Sequence, residues 1–136
     1  MAMSMTSMTS AALSDSRRVN GNKGIQHVLV FTEHEYAIAC GALRATAGNY
    51  KELPTTSVEV KRMYTVSSAR NRGVASALLA ALEKWAIELG HTHTCLETGT
   101  RQPDVIRLYE KNGYQLIQNY GPYAGMENSK CFMKKL

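Results

Sequence analysis

The sequence predicts an α+β domain with a mixed, mostly antiparallel sheet and flanking helices, in the element order β-β-β-α-β-α-β-β. Three observations carry that expectation. Short β-branched and alternating runs flank the middle of the chain. One long central segment repeats its apolar residues at helical spacing. Clusters of Gly, Pro and Asn punctuate the joins between these segments.

Residues 1–24 are rich in Ser, Thr, Met, Asn and Gly without periodicity and read as a flexible arm, so the folded domain is expected over 25–136, starting near Gln26. The runs His27–Thr32 and Tyr36–Leu43, joined by the polar Glu33-His34-Glu35, predict an antiparallel hairpin. Ala47–Pro54 has loop composition, and Thr56–Thr65 is β-branched enough for a third strand. Val74, Ala77, Leu78, Ala81, Leu82, Trp85 and Leu89 then mark one face of a helix, with Gly90 placed to stop it. Thr92–Thr98 returns to strand. Gln102-Pro103-Asp104 opens a second helix, where Pro suits the first position and Asp the helix dipole, and Gly113 closes it. Tyr114–Gln118 and Lys130–Lys135 are the last expected strands, linked by the Gly-containing loop 120–129.

At 136 residues the chain has room for one domain with a single core. A net charge of +5 suits an anionic partner such as a nucleotide-bearing cofactor. The basic residues form no dense cluster interleaved with aromatics, which argues against nucleic acid. The N-terminus has no charged start followed by an apolar run, and nowhere do eighteen apolar residues stand together, so no membrane association is expected. Three widely spaced cysteines, Cys40, Cys95 and Cys131, point to reduced thiols in a cytoplasm and to no disulfide.

The segment with the clearest chemical meaning is Arg70-Asn71-Arg72-Gly73-Val74-Ala75. It lies between a strand and a long helix, where unpaired backbone N–H groups and the positive helix end can hold a diphosphate. Small residues at 73 and 75 let a phosphate approach the backbone, Asn71 tolerates unusual backbone angles, and the arginines add charge. His91 and His93 share a strand face, but no third ligand stands near them and no metal site is expected. Cys95 and Cys131 lack a local base and read as buried small hydrophobes.

Lys61-Arg62-Met63-Tyr64-Thr65 followed by Arg70-x-x-Gly73-x-Ala75 resembles the acetyl-CoA signature, R/Q-x-x-G-x-G/A, of the GCN5-related N-acetyltransferases (GNAT). Leu96-Glu97-Thr98-Gly99 and Leu108-Tyr109-Glu110-Lys111-Asn112-Gly113-Tyr114 resemble that family's next strand and the end of its next helix, in the same order. The resemblance covers about residues 28–136 and implies an acetyl-CoA-dependent N-acetyltransferase in which an amine attacks the thioester directly. It implies that acetyl-CoA lies between two splayed parallel strands, its pantetheine amides pairing with the backbone of Met63 to Thr65, one strand N–H near Met63 or Tyr64 polarising the thioester carbonyl. It further implies that residues 70–75 hold the pyrophosphate, that Gln102 stands where the family often has Asn on the pantetheine arm, and that Tyr109 lies near the sulfur and protonates the departing thiolate.

The acceptor must attack as a free amine, because an ammonium has no lone pair. Glu59 lies fourteen residues before Gly73, the offset of the base glutamate in the histone-acetylating branch of the family, and simple alternation puts it on one strand face with Lys61 and Met63. Glu97 and water are the alternatives. Read without the resemblance, Glu59 faces solvent or pairs with Lys61 or Arg62, and Tyr109 is a core tyrosine with its hydroxyl at the rim. The acceptor is a small-molecule or a protein amine. The family's members usually begin with a strand and one or two helices that wall the acceptor site, where this chain has only its aperiodic arm; a homodimer partner would supply the wall, with loop 121–129 as lid. The rival readings are an inactive acyl-CoA-binding or regulatory module and a basic protein-binding domain with an accidental Gly turn.

Overall fold

The structure, a computed structural model, describes residues 16–20, 27–46 and 50–136. Along them run β1 (Ser16–Asn20), β2 (His27–Glu33), β3 (Tyr36–Ala45), β4 (Ser57–Thr65), α1 (Val74–Glu88), β5 (His93–Gly99), α2 (Pro103–Lys111), β6 (Gln115–Ile117) and β7 (Ser129–Lys135). Backbone hydrogen bonding follows the order β1-β2-β3-β4-β5-β7-β6, a mixed sheet in which most pairs are antiparallel. The expected α+β class and order are found, with one strand added at the front.

That strand corrects the expected arm. β1 pairs antiparallel with β2 from Ser16↔Phe31 to Asn20↔His27. Its residues 16–19 are all exposed, so it carries no hydrophobic period for the sequence to display. It is an edge strand held by ladder bonds and by the Arg18 guanidinium, 4.6 Å from the centre of the Trp85 ring. Residues 1–15 and 21–24 of the expected arm lie outside the described residues.

The chain divides into two compact units, and β4 contributes residues to each. The first holds the described residues up to Arg44 together with Val60–Trp85. Its β2–β3 hairpin turns on His34 (φ 51°) and Glu35 (φ 69°), the pair of left-handed residues that a type I′ turn needs. Pairing of Leu29 with Gly41 and of Phe31 with Ala39 puts their side chains on one face. That face meets α1. A Cβ built on Gly41 would lie 2.8 Å from Leu82 Cδ1 and 2.9 Å from Met63 Sδ, so only glycine lets helix and strand approach this closely. Leu29, Phe31, Leu43, Leu78 and Leu82 are almost fully enclosed.

The second unit comprises Ala45–Glu59 and Ala86–Leu136. Here β4 and β5 pair in parallel over Ser57–Glu59 and His93–Cys95, and β7 pairs antiparallel with β5 over seven residues and with β6 over three. Leu53, Cys95, Tyr120 and Cys131 form a buried cluster with Tyr50, Ile117, Tyr123 and Met133 packed against it. Gly90 (φ 92°) and Gly113 (φ 91°) end the two helices as expected. Each end closes with paired bonds: Gly90 N–H to Ile87 and His91 N–H to Ala86, then Gly113 N–H to Glu110 and Tyr114 N–H to Tyr109. These are Schellman caps. Cys40, Cys95 and Cys131 are thiols outside any disulfide, and no helix among the described residues is long and apolar enough to cross a membrane.

Candidate active site

In the first unit the polypeptide leaves β4 through a kink. Arg62 has φ 54°, a left-handed residue inside a strand whose burial still alternates from Lys61 to Thr65. Lys61, Met63 and Thr65 are the less exposed positions of this run, and the Met63 sulfur lies beside Gly41, 2.9 Å from where a Cβ there would stand. Tyr64 beyond it is 55 % exposed and Thr65 half-buried. After a turn of 3₁₀ helix at Ser67–Ala69 the chain reaches Arg70, whose Nε donates to the Thr65 carbonyl at 3.0 Å and whose guanidinium lies 5.7 Å from the Tyr64 ring centre.

The loop that follows has a strongly determined backbone. Asn71 (φ 62°) and Gly73 (φ 76°) are both left-handed and bracket Arg72. Asn is among the few side chains that adopt this region cheaply, which accounts for its place here. The first helical bond runs from Ala77 N–H to the Gly73 carbonyl at 3.1 Å, so the N–H groups of Val74 and Ala75 precede the ladder and have no acceptor within the helix. Val74 is buried and anchors the helix start, while Asn71 and Arg70 are exposed. Arg72 is tied down on both terminal nitrogens: Nη2 donates to Glu33 Oε2 at 2.7 Å and Nη1 to the Ser68 carbonyl at 3.3 Å. Left-handed residues beside a helix N-terminus fit an anionic diphosphate.

Glu59, Glu97, Gln102 and Tyr109 belong to the second unit. Glu59 is only 2 % exposed, and its Oε2 accepts a hydrogen bond of 2.7 Å from the Tyr120 hydroxyl. It does not face solvent. Tyr120 is itself completely buried between the rings of Tyr50 and Tyr123, at 5.6 and 5.5 Å. Burial, with Cys95 and Glu59 adding negative charge nearby, pushes the Tyr120 phenol well above its ordinary range, so it stays a proton donor to Glu59. Burial also raises the thiol pKa of Cys131, which keeps it neutral.

Tyr109, near the end of α2, packs its ring 5.8 Å from Tyr114 and 6.4 Å from Phe132. Burial pushes its phenol up to about 12. Tyr109 is 6% exposed. A phenol in that setting keeps its proton at neutral pH and can give it up to a strong base at its tip. Glu97 accepts from the Ser129 hydroxyl at 2.7 Å. Gln102 sits exposed at the N-cap position of α2, making no side-chain cap bond.

Structure thus gathers Met63, Tyr64, Thr65 and residues 70–75 in one unit and Glu59, Glu97, Gln102 and Tyr109 in the other. Sequence reading missed Tyr120 and Glu33, the hydrogen-bonding partners of two of its own candidates. The only signal for Tyr120 was chemical: a glutamate within a strand of buried Val and Ser requires a donor. Loop 121–129, read as a lid, is tied at its base, where Asn119 Nδ2 lies 3.0–3.1 Å from the carbonyls of Tyr123, Met126 and Ser129. No group of three or more metal-ligating side chains occurs among the described residues.

Residues 24–116 match the family model described as an acetyltransferase (GNAT) domain. The chain is similar to an IAA acetyltransferase of Azospirillum brasilense, 35% identical over 72% of this chain. That match spans 60% of the relative's own length. Among solved structures, one described as an acyl-CoA N-acyltransferase of Klebsiella pneumoniae aligns with a TM-score of 0.72 and 31% identity, over 81% of this chain and 72% of that one. A GNAT family acetyltransferase of Elizabethkingia anophelis with acetyl-CoA bound aligns over 96% of this chain and 82% of its own, with a TM-score of 0.66 and 14% identity, a likeness of fold.

Proposed function

Because the chain belongs to the GNAT acetyltransferase family, we propose that residues 25–136 form an N-acetyltransferase domain that transfers an acetyl group from acetyl-CoA to a primary amine. The observation that carries this reading is the loop Arg70–Ala75, where left-handed Asn71 and Gly73 lead into the start of α1. Its N–H groups would hold the pyrophosphate, and Arg70 supplies positive charge at an exposed position. Met63, Tyr64 and Thr65 would pair with the pantetheine through their backbone, with Gln102 contributing a side-chain amide to the same arm. Acetyl-CoA supplies the activated thioester.

Attack by the amine produces an oxyanion, which a strand N–H just past the Arg62 kink, at Met63 or Tyr64, would stabilise. Tyr109 would donate its proton to the departing thiolate, a role supported by a phenol that is still protonated at neutral pH. Glu59 is the proposed proton acceptor for the amine. Its burial supports a relay through water in place of direct contact, because a 2 % exposed carboxylate cannot touch a bound amine without rearrangement. Glu97, hydrogen-bonded to Ser129, is the alternative acceptor.

The acceptor proposed is a small-molecule amine or a protein amine, and the setting a cytoplasm without membrane or nucleic-acid partners. Calorimetric titration with acetyl-CoA, followed by thiol release over a panel of amines, polyamines, amino acids and lysine peptides, tests the reading. Micromolar binding with release for one amine class is expected. Binding without release for any amine would establish the inactive acyl-CoA-binding module, and no binding would remove both.

A further inference from the structure

Both arginines of the loop are held by the protein itself, and one of the holding groups is an acid. Glu33 ends β2, immediately before the left-handed pair His34 and Glu35 of the hairpin turn. Its carboxylate meets Arg72 at 2.7 Å, and the two side chains are only 28% and 34% exposed. At that degree of burial the pair is worth more than an exposed surface bridge, because solvent screens it less. It also spans a long stretch of sequence, tying β2 to the residue between left-handed Asn71 and left-handed Gly73.

A carboxylate beside an anion-binding loop would ordinarily weaken anion binding by repulsion. Here it is neutralised by Arg72, and the mechanical effect points the other way. Asn71 pays a cost for its φ of 62°, and a loop with two such residues relaxes unless something outside it fixes the position of the residue between them. The Ser68 carbonyl holds the same guanidinium from within the loop's own approach, whereas Glu33 holds it from a separate strand. We propose that Glu33 is a positioning residue of the diphosphate loop: its ion pair with Arg72 locks Asn71 and Gly73 in the left-handed conformation that presents the N–H groups of residues 73–75 to an anion. The proposal rests on the reading of residues 70–75 as the acetyl-CoA pyrophosphate site. Arg72 on this view acts as a strut to Glu33.

The test compares wild type, Glu33→Ala, Arg72→Ala and the double variant in three measurements. Amide hydrogen exchange of residues 71–75 without cofactor should speed up about three- to tenfold in each single variant, and the double should exchange no faster than Arg72→Ala, because the two share the ion pair and only Arg72→Ala also removes the bond to the Ser68 carbonyl. Acetyl-CoA affinity should fall by about the same factor, with KM for acetyl-CoA raised and kcat within about twofold for Glu33→Ala. The charge-reversed pair Glu33→Arg with Arg72→Glu should recover slow exchange. Unchanged exchange in Glu33→Ala, tighter cofactor binding on losing the acid, or additive effects in the double variant would each overturn the proposal. If wild type bound no acetyl-CoA, the pyrophosphate reading would fall and the proposal with it, although the exchange data would still report whether the pair orders the loop.

Discussion

Two buried tyrosines, Tyr109 and Tyr120, have different partners, and substitution separates them. Tyr109 is raised by burial to about 12, so between pH 10 and 12 the unfolded chain loses this proton while the folded one keeps it. The stabilising contribution is complete below pH 10 and is lost as pH rises through about 12. Denaturant unfolding of wild type and Tyr109→Phe should therefore give curves that run parallel at neutral pH and converge or cross above pH 10, wild type falling faster. In turnover, Tyr109→Phe should lower kcat about tenfold or more with cofactor affinity unchanged, provided chemistry limits the rate; an unaltered kcat would remove the acid role. Tyr120 acts on stability. Its hydroxyl gives the buried Glu59 carboxylate a hydrogen bond of 2.7 Å, so Tyr120→Phe should cost about 1–3 kcal/mol by leaving that group without its donor. Glu59→Gln retains an acceptor for the same hydroxyl and should cost less, and urea denaturation reversing that order would refute the assignment. Neither partner of this pair points to the other in the sequence, because they stand 61 residues apart.

Elements with a hydrophobic period were legible, and elements without one were not. α1 declares itself because Val74, Leu78, Leu82 and Trp85 must all reach one buried face, and both helix ends declare themselves because only glycine adopts their C′ conformation without strain. β1 stays silent because its residues 16–19 are all exposed and its stability comes from backbone pairing. The Arg62 kink has no signature either, since arginine has no preference for left-handed backbone. In the loop 70–75 Asn71 and Gly73 were readable as residues that accept unusual angles, while the ion pair of Glu33 with Arg72 depends on the hairpin's placement in three dimensions. Gly41 shows the same limit. Nothing beside it in the sequence marks a close approach, yet a Cβ there would press within 3.0 Å of both Leu82 and Met63. Gly41→Ala should destabilise by about 1–3 kcal/mol through overpacking, measured as a lower denaturation midpoint at unchanged m-value. A neutral effect would mean that the Met63 side chain, the more flexible of the two neighbours, moves aside.

For the whole molecule the open question is what walls the acceptor. The family resemblance leads one to expect a strand and then one or two helices before the second strand. The strand is present as β1, but only residues 21–26 separate it from β2. Edge pairing is a poor route to an assembly that could supply the wall: β1 carries Arg17 and Arg18 along one sheet edge, and β6 at the other is three residues long. A homodimer, if it completes the site, should therefore form through side chains of loops and sheet faces. Sedimentation velocity at assay concentration should show a dimer, and specific activity should fall when the protein is diluted below the dimer dissociation constant. A monomer with full activity per chain at every concentration would place the acceptor wall within one chain.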